Sequence, residues 1–163
     1  MRTPAFLHRE GDVYKRQVMQ HYYPFGLEDL AERRDSYAVI SIQDTHAGGF
    51  GVMFAENKFC RGVLTLYFDD IVREMPGAVM FSEEMADRII DFILAHRDVD
   101  TLLIHCYGGQ SRSRAVGAFA VKLFGGDNSR YFSGGSPNRV VYDGLVAAWK
   151  RRQKKIKAQS EVT

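Results

Sequence analysis

Thr101-Leu102-Leu103-Ile104-His105-Cys106-Tyr107-Gly108-Gly109-Gln110-Ser111-Arg112-Ser113 is the stretch that decides the fold. It opens with a short apolar run suited to a central strand. From Ser113 apolar residues recur at Val116, Ala120 and Leu123, with Gly125-Gly126 beyond them, which is a helix followed by its stop signal. The turn between strand and helix holds Cys106 and Arg112, with five residues between them.

That turn suits a phosphate dianion. Successive backbone N–H groups point inward, the helix start adds partial positive charge, and Gly108 and Gly109 let the chain curl without steric cost. Tyr107, Gly108, Gly109, Gln110, Ser111 and Arg112 are the expected phosphate-binding residues, and the Arg112 fork can grip two oxygens as a lysine cannot. The same field favours a thiolate at Cys106, because cysteines at helix starts fall from about 8.5 to roughly 3.5–7.5. A three-unit drop needs ~4 kcal/mol, more than the ~2 kcal/mol of a helix terminus, so a direct donor is required. Ser113, on the first helical turn, is the candidate for it.

Outward from the turn, Val63-Leu64-Thr65-Leu66-Tyr67-Phe68 reads as a strand running into Asp69-Asp70. Attack by Cys106 on phosphorus leaves an oxygen that needs a proton, and Asp70 is the expected acid, with Asp69 the alternate. The chemistry calls for no metal and no cofactor. His105, on the opposite side of the strand from Cys106, is expected to shape the loop by hydrogen bonding. Cys60 reads as a packing residue.

Ser82 caps a predicted helix over 82–97, Ala38–Ile42 reads as a buried strand preceded by a helix-like stretch around Leu27–Arg34, and a last helix starts near Asn138 and turns Val141, Leu145 and Trp149 inward. Residues 126–138 read as a loop. Strands alternating with helices predict a single α/β domain with a central mixed, mostly parallel sheet flanked by helices. Its expected extent is 19–157. Residues 1–18 read as a poorly ordered arm outside the fold that looks like cloning or adapter-derived sequence, with Met19 as a start, and residues 158–163 read as a tail.

The chain has 163 residues, 45% of them apolar and 26% charged, an ordinary globular balance. Its formal charge is +2, but six Lys and Arg lie between Lys150 and Lys157, and residues 1–149 alone carry −3. A nucleic-acid footprint needs basic residues spread over a face, so that run reads as a solvated helix end and nucleic acid is not the expected partner. No apolar run approaches a membrane span, which argues against insertion, and two cysteines with no signal-like N-terminus point to the reducing cytoplasm.

His105-Cys-x-x-Gly-x-x-Arg112-Ser113 resembles the signature of the protein tyrosine phosphatases, and the chain length resembles their dual-specificity branch. Phe68-Asp69-Asp70-Ile71 is similar to the acid-bearing strand end of small bacterial and phage members. The resemblance covers roughly residues 37–150. It implies a mixed sheet flanked by helices, thiolate attack with a phosphocysteine intermediate, an arginine on the phosphoryl group and an aspartic acid on a separate loop. It also implies a phosphorylated protein or small phosphomonoester as substrate. Gly108 stands where many relatives have Ala. Tyr107 and Gln110 stand where phosphoinositide-directed relatives often carry basic residues, which lowers the weight of inositol lipids. The competing readings are an RNA 5′-triphosphatase, which needs a basic approach channel, and a non-catalytic phosphopeptide-binding module. A rhodanese-type loop is one residue shorter before its arginine.

Overall fold

The computed structural model describes residues 3–7, 16–22, 34–45, 54–107 and 110–162. Five strands form one sheet: β1 (Thr3–Leu7), β2 (Arg16–Tyr22), β3 (Tyr37–Gln43), β4 (Cys60–Tyr67) and β5 (Thr101–Cys106), in the order β1-β2-β5-β3-β4. β2, β5, β3 and β4 run parallel, and only the β1–β2 pair is antiparallel. This is the mixed, mostly parallel sheet that the alternation of strands and helices predicts.

β3 and β5 are buried along their whole length, as strands covered on both faces must be. Side chains alternate between the faces. Ala38, Ile40, Ile42, Leu102, Ile104 and Cys106 share one core cluster with the helices, whereas Tyr37, Val39, Leu103 and Cys60 pack on the other face against Phe54, Phe59 and Val63. The period-two rule therefore turns Cys106 toward the helices and His105 away from them.

Helix α1 (Glu83–Ala95) starts where Ser82 Oγ accepts the Met85 N–H at 3.3 Å, a cap worth about 1 kcal/mol, and Glu83 and Glu84 favour its positive end. It buries Ala86, Ile89, Ile90 and Ile93, each isoleucine contributing about 1.5–3 kcal/mol. It stops at Ala95, short of the expected 97, where His96 Nδ1 lies 2.9 Å from the Phe92 carbonyl. Helix α2 (Arg112–Leu123) is buried from Arg112 to Val121, and beyond its cap at Phe124 comes Gly125, whose φ of 85° only glycine adopts readily.

Three expectations are corrected. Residues 1–18 were expected to lie outside the fold, yet Thr3–Leu7 and Arg16–Tyr22 are strands and β2 pairs with β5 from Gln17–Thr101 to Tyr22–Cys106. The bonds are main-chain, which any residue but proline can donate, and β5 has an edge to satisfy. The polar loop over 126–138 contains a short helix, α3 (Ser129–Ser133). The last helix, α4 (Arg139–Val162), continues through residues read as a tail, carried by the good helix formers of its solvated end. Of its basic run, Arg151 pairs with Glu83 at 3.0 Å and Arg152 with Asp91 at 2.7 Å, so two of those charges join α4 to α1. The helix-like stretch expected around Leu27–Arg34 lies, apart from Arg34, outside the described residues.

Candidate active site

The carboxyl ends of three parallel strands converge, the usual place for a site in an open α/β sheet. β3 delivers Asp44, β4 delivers Phe68, Asp69 and Asp70, and β5 delivers Cys106. Cys106 is 2% exposed, and its Sγ lies 3.1 Å from the hydroxyl of buried Ser113. That contact sets the first turn of α2 against the end of β5.

Arg112 opens α2 and is 4% exposed. Its Nη1 donates to the Phe68 carbonyl at 2.6 Å and meets Asp44 Oδ1 at 2.7 Å. Both anchors use one nitrogen. Nε is buried without a hydrogen-bond partner, so the Nε–Nη2 edge of the fork remains for two oxygens of an anion. Asp44 therefore belongs to the site, holding the guanidinium at a fixed angle. Sequence reading missed it, the only local signal being an acid just past a buried strand.

Of the expected phosphate-binding residues, Tyr107 is 55% exposed, Gln110 is exposed and Ser111 is half-buried. Gly108 and Gly109 lie outside the described residues.

Asp69 and Asp70 have different surroundings. Asp69 is buried and accepts three hydrogen bonds, from Thr45 N at 3.1 Å, Thr45 Oγ1 at 2.6 Å and Val79 N at 2.8 Å. It fastens the β3 loop and the segment before α1 to the end of β4. Asp70 is exposed, and its Oδ1 accepts from Ser111 Oγ at 2.7 Å and Asn138 Nδ2 at 2.9 Å. The first bond brings its carboxyl against the turn that carries Cys106. Both donors use Oδ1, so a proton on this carboxyl belongs on Oδ2.

Asn138 was read only as a helix start. It is that, since its Oδ1 accepts from Val140 N at 3.0 Å and Val141 N at 3.2 Å. Its Nδ2 also donates to the Ile71 carbonyl at 3.1 Å, and its own N–H donates to the Ser111 carbonyl at 3.0 Å.

His105 lies on the far face, with Nε2 2.6 Å from Ser41 Oγ and its ring 5.2 Å from that of Phe54. The residue expected to shape the loop by hydrogen bonding thus bonds to β3, on the face away from Cys106. Burial pushes the Cys60 thiol up from its ordinary pKa, and pushes the hydroxyl of Tyr131, packed under α2, up to about 12. Among the described residues no three His, Cys, Asp or Glu side chains gather as a metal site, and no helix is long and apolar enough to cross a membrane.

No protein-family model and no curated protein matches the sequence. The fold does have solved relatives. The human tyrosine phosphatase-like serine/threonine/tyrosine-interacting protein superposes with a TM-score of 0.55 at 18% identity, over 83% of this chain and 93% of its own. PTPMT1 in complex with PI(5)P gives 0.51 at 15% identity, over 88% and 94%. The fold of this chain is that of the cysteine-dependent tyrosine phosphatases.

Proposed function

We propose that this chain hydrolyses phosphomonoesters through a phosphocysteine on Cys106. In the first step the Cys106 sulfur attacks phosphorus, the S–P bond forms and the bond to the leaving oxygen breaks. Asp70, as a carboxylic acid, gives that oxygen its proton from Oδ2. The Nε–Nη2 edge of Arg112 and the backbone of Tyr107 to Arg112 hold the three other phosphoryl oxygens as charge shifts in the transition state. In the second step Asp70, now a carboxylate, takes a proton from water, the water oxygen bonds to phosphorus and the S–P bond breaks. The Ser113 hydroxyl donates to the departing thiolate. Inorganic phosphate leaves.

The observation that carries this reading is the convergence on one turn of Cys106 with Ser113 at 3.1 Å, Arg112 with a free guanidinium edge, and Asp70 bonded to Ser111 at 2.7 Å. The three hydrogen bonds already accepted by Asp69 favour Asp70 as the acid.

For substrate we propose phosphotyrosine first, then phosphoserine and phosphothreonine in proteins. Exposed Tyr107 lies on the turn itself, and exposed Val72, Met75 and Val79 belong to the segment that follows Asp70. These side chains suit an aryl ring better than an inositol polyphosphate or an RNA end, and neutral Tyr107 and Gln110 add no cation for either. Cys60 and Cys106 are both free thiols, so activity needs a reducing compartment, for which we propose the cytoplasm. The test is p-nitrophenyl phosphate turnover in the presence of a chelator, followed by phosphate release from phosphopeptides, phosphoinositides and triphosphorylated RNA. Tight phosphopeptide binding with no release in any arm would instead support a binding module.

A further inference from the structure

Asn138 occupies an unusual position for a helix cap. Its side chain is almost fully buried, and its polar atoms bond to three parts of the chain: α4, the Asp70 loop and Ser111. Oδ1 caps α4, the amide Nδ2 reaches both Asp70 Oδ1 at 2.9 Å and the Ile71 carbonyl at 3.1 Å, and the main-chain N–H bonds the Ser111 carbonyl at 3.0 Å. A cap needs only the acceptor. The donor is surplus to capping, and both of its bonds go to consecutive residues of the loop that carries the acid.

We propose that Asn138 is the positioning residue for the general acid, fixing the Asp70 loop against the Cys106 turn through its amide while its oxygen holds α4. This rests on the reading of Asp70 as the acid. Two consequences are specific to a donor on Oδ1. The amide locks the rotation of the carboxyl, so that Oδ2 is the oxygen left to carry and deliver the proton. Because Ser111 donates to the same atom at 2.7 Å, the carboxyl is held from the turn on one side and from α4 on the other. Loss of the amide leaves Asp70 tethered by the Ser111 hydroxyl alone among the described residues, and a proton donor displaced by even a fraction of a bond length transfers poorly.

The geometry supplies variants that separate the two roles. Asn138→Ser keeps a capping oxygen and drops the amide donor. Asn138→Asp keeps the acceptor in place and drops the donor in a side chain of the same shape. Asn138→Ser should fold with a modestly lowered Tm, and Asn138→Asp, which sets a carboxylate oxygen against Asp70 Oδ1 and the Ile71 carbonyl, with a lower one. A general acid matters for a poor leaving group and little for a good one, so the readout is a pair of substrates, phenyl phosphate and 2,4-dinitrophenyl phosphate. Since general acids contribute 10²–10⁴-fold, kcat/KM on phenyl phosphate, which reports the step that forms the phosphocysteine, should fall roughly 100-fold in Asn138→Ser, while kcat/KM on the dinitrophenyl ester stays within about threefold. Asn138→Asp should show the same selectivity. The double variant Asp70→Asn/Asn138→Ser should be no slower on phenyl phosphate than Asp70→Asn alone, because Asn138 acts only through that carboxyl.

Equal losses on the two substrates, no loss on either, or additive losses in the double variant overturn the proposal and leave Asn138 a structural cap. If Asp70→Asn itself lacks leaving-group selectivity, the acid assignment falls and takes this inference with it. A selective Asp70→Asn beside an unselective Asn138→Ser refutes Asn138 alone.

Discussion

Cys60 and Cys106 are equally hidden, at 1% and 2% exposed, and lie at opposite ends of the same sheet. Cys60 opens β4 on the face closed by Phe54, Phe59 and Val63. Its sulfur is 3.7 Å from the Gly62 carbonyl, and burial outweighs the hydrogen bonds of the Gly62 backbone and the Tyr37 side chain that favour its thiolate. Cys106 closes β5 where the chain turns into α2, with a hydroxyl 3.1 Å from its sulfur and a buried guanidinium at the far side of the turn. Burial alone does not distinguish a reactive cysteine from a packing one. What distinguishes them is which end of the strand they occupy and whether a helix start and a guanidinium lie on the same turn as the sulfur.

The comparison breaks most sharply at the nucleophile. Cys106→Ser should lower kcat on p-nitrophenyl phosphate by on the order of 10⁴-fold or more, since an alkoxide precursor replaces the sulfur. Arg112→Lys comes next. A lysine cannot keep both the Asp44–Phe68 anchor and a two-oxygen fork, so kcat/KM should fall roughly 10²–10³-fold, with KM for phosphate-containing ligands rising. Asp44→Asn loosens the same anchor without touching substrate, and a loss of roughly 10- to 100-fold in kcat/KM with little change in Tm is expected.

Asp69 and Asp70 form a second such pair, adjacent in sequence and divided in task. Asp70→Asn should leave Tm nearly unchanged and slow phenyl phosphate hydrolysis roughly 100-fold. Asp69→Asn removes a charged acceptor of three hydrogen bonds and should cost about 2 kcal/mol of stability, seen as a lowered denaturant midpoint. Equal Tm values for the two variants contradict this division.

The smallest effect belongs to Cys60. Cys60→Ala should keep activity within about twofold, because the residue lies outside the turn. Burial raises its thiol pKa in the folded state. The unfolded chain therefore loses that proton first as pH rises, and stability present below the ordinary thiol value near 9.0 declines above it. Denaturant midpoints at alkaline pH should fall more steeply in wild type than in Cys60→Ala.

Much of the site was legible because its logic is local. Cys106, Arg112 and Ser113 lie within one turn, and Asp69 and Asp70 sit where an apolar strand runs out. Ser82 as a cap and Gly125 as a stop are likewise readable from neighbours a few residues away. Asp44 and Asn138 were not legible as parts of the site, because each acts across the fold. Asp44 meets a guanidinium 68 positions later, and Asn138 reaches back the same distance to Asp70. Nothing in spacing or periodicity records such a pairing. β1 and β2 escaped notice for a different reason, since they join the sheet through main-chain bonds that leave no mark on composition.

The most direct test of the central claim is to quench the protein during turnover of p-nitrophenyl phosphate and measure its intact mass, then map any adduct by peptide analysis. A phosphoryl group on Cys106, absent from Cys106→Ser together with turnover, is the predicted result. Steady turnover with no adduct on Cys106, retained in Cys106→Ser, would contradict it.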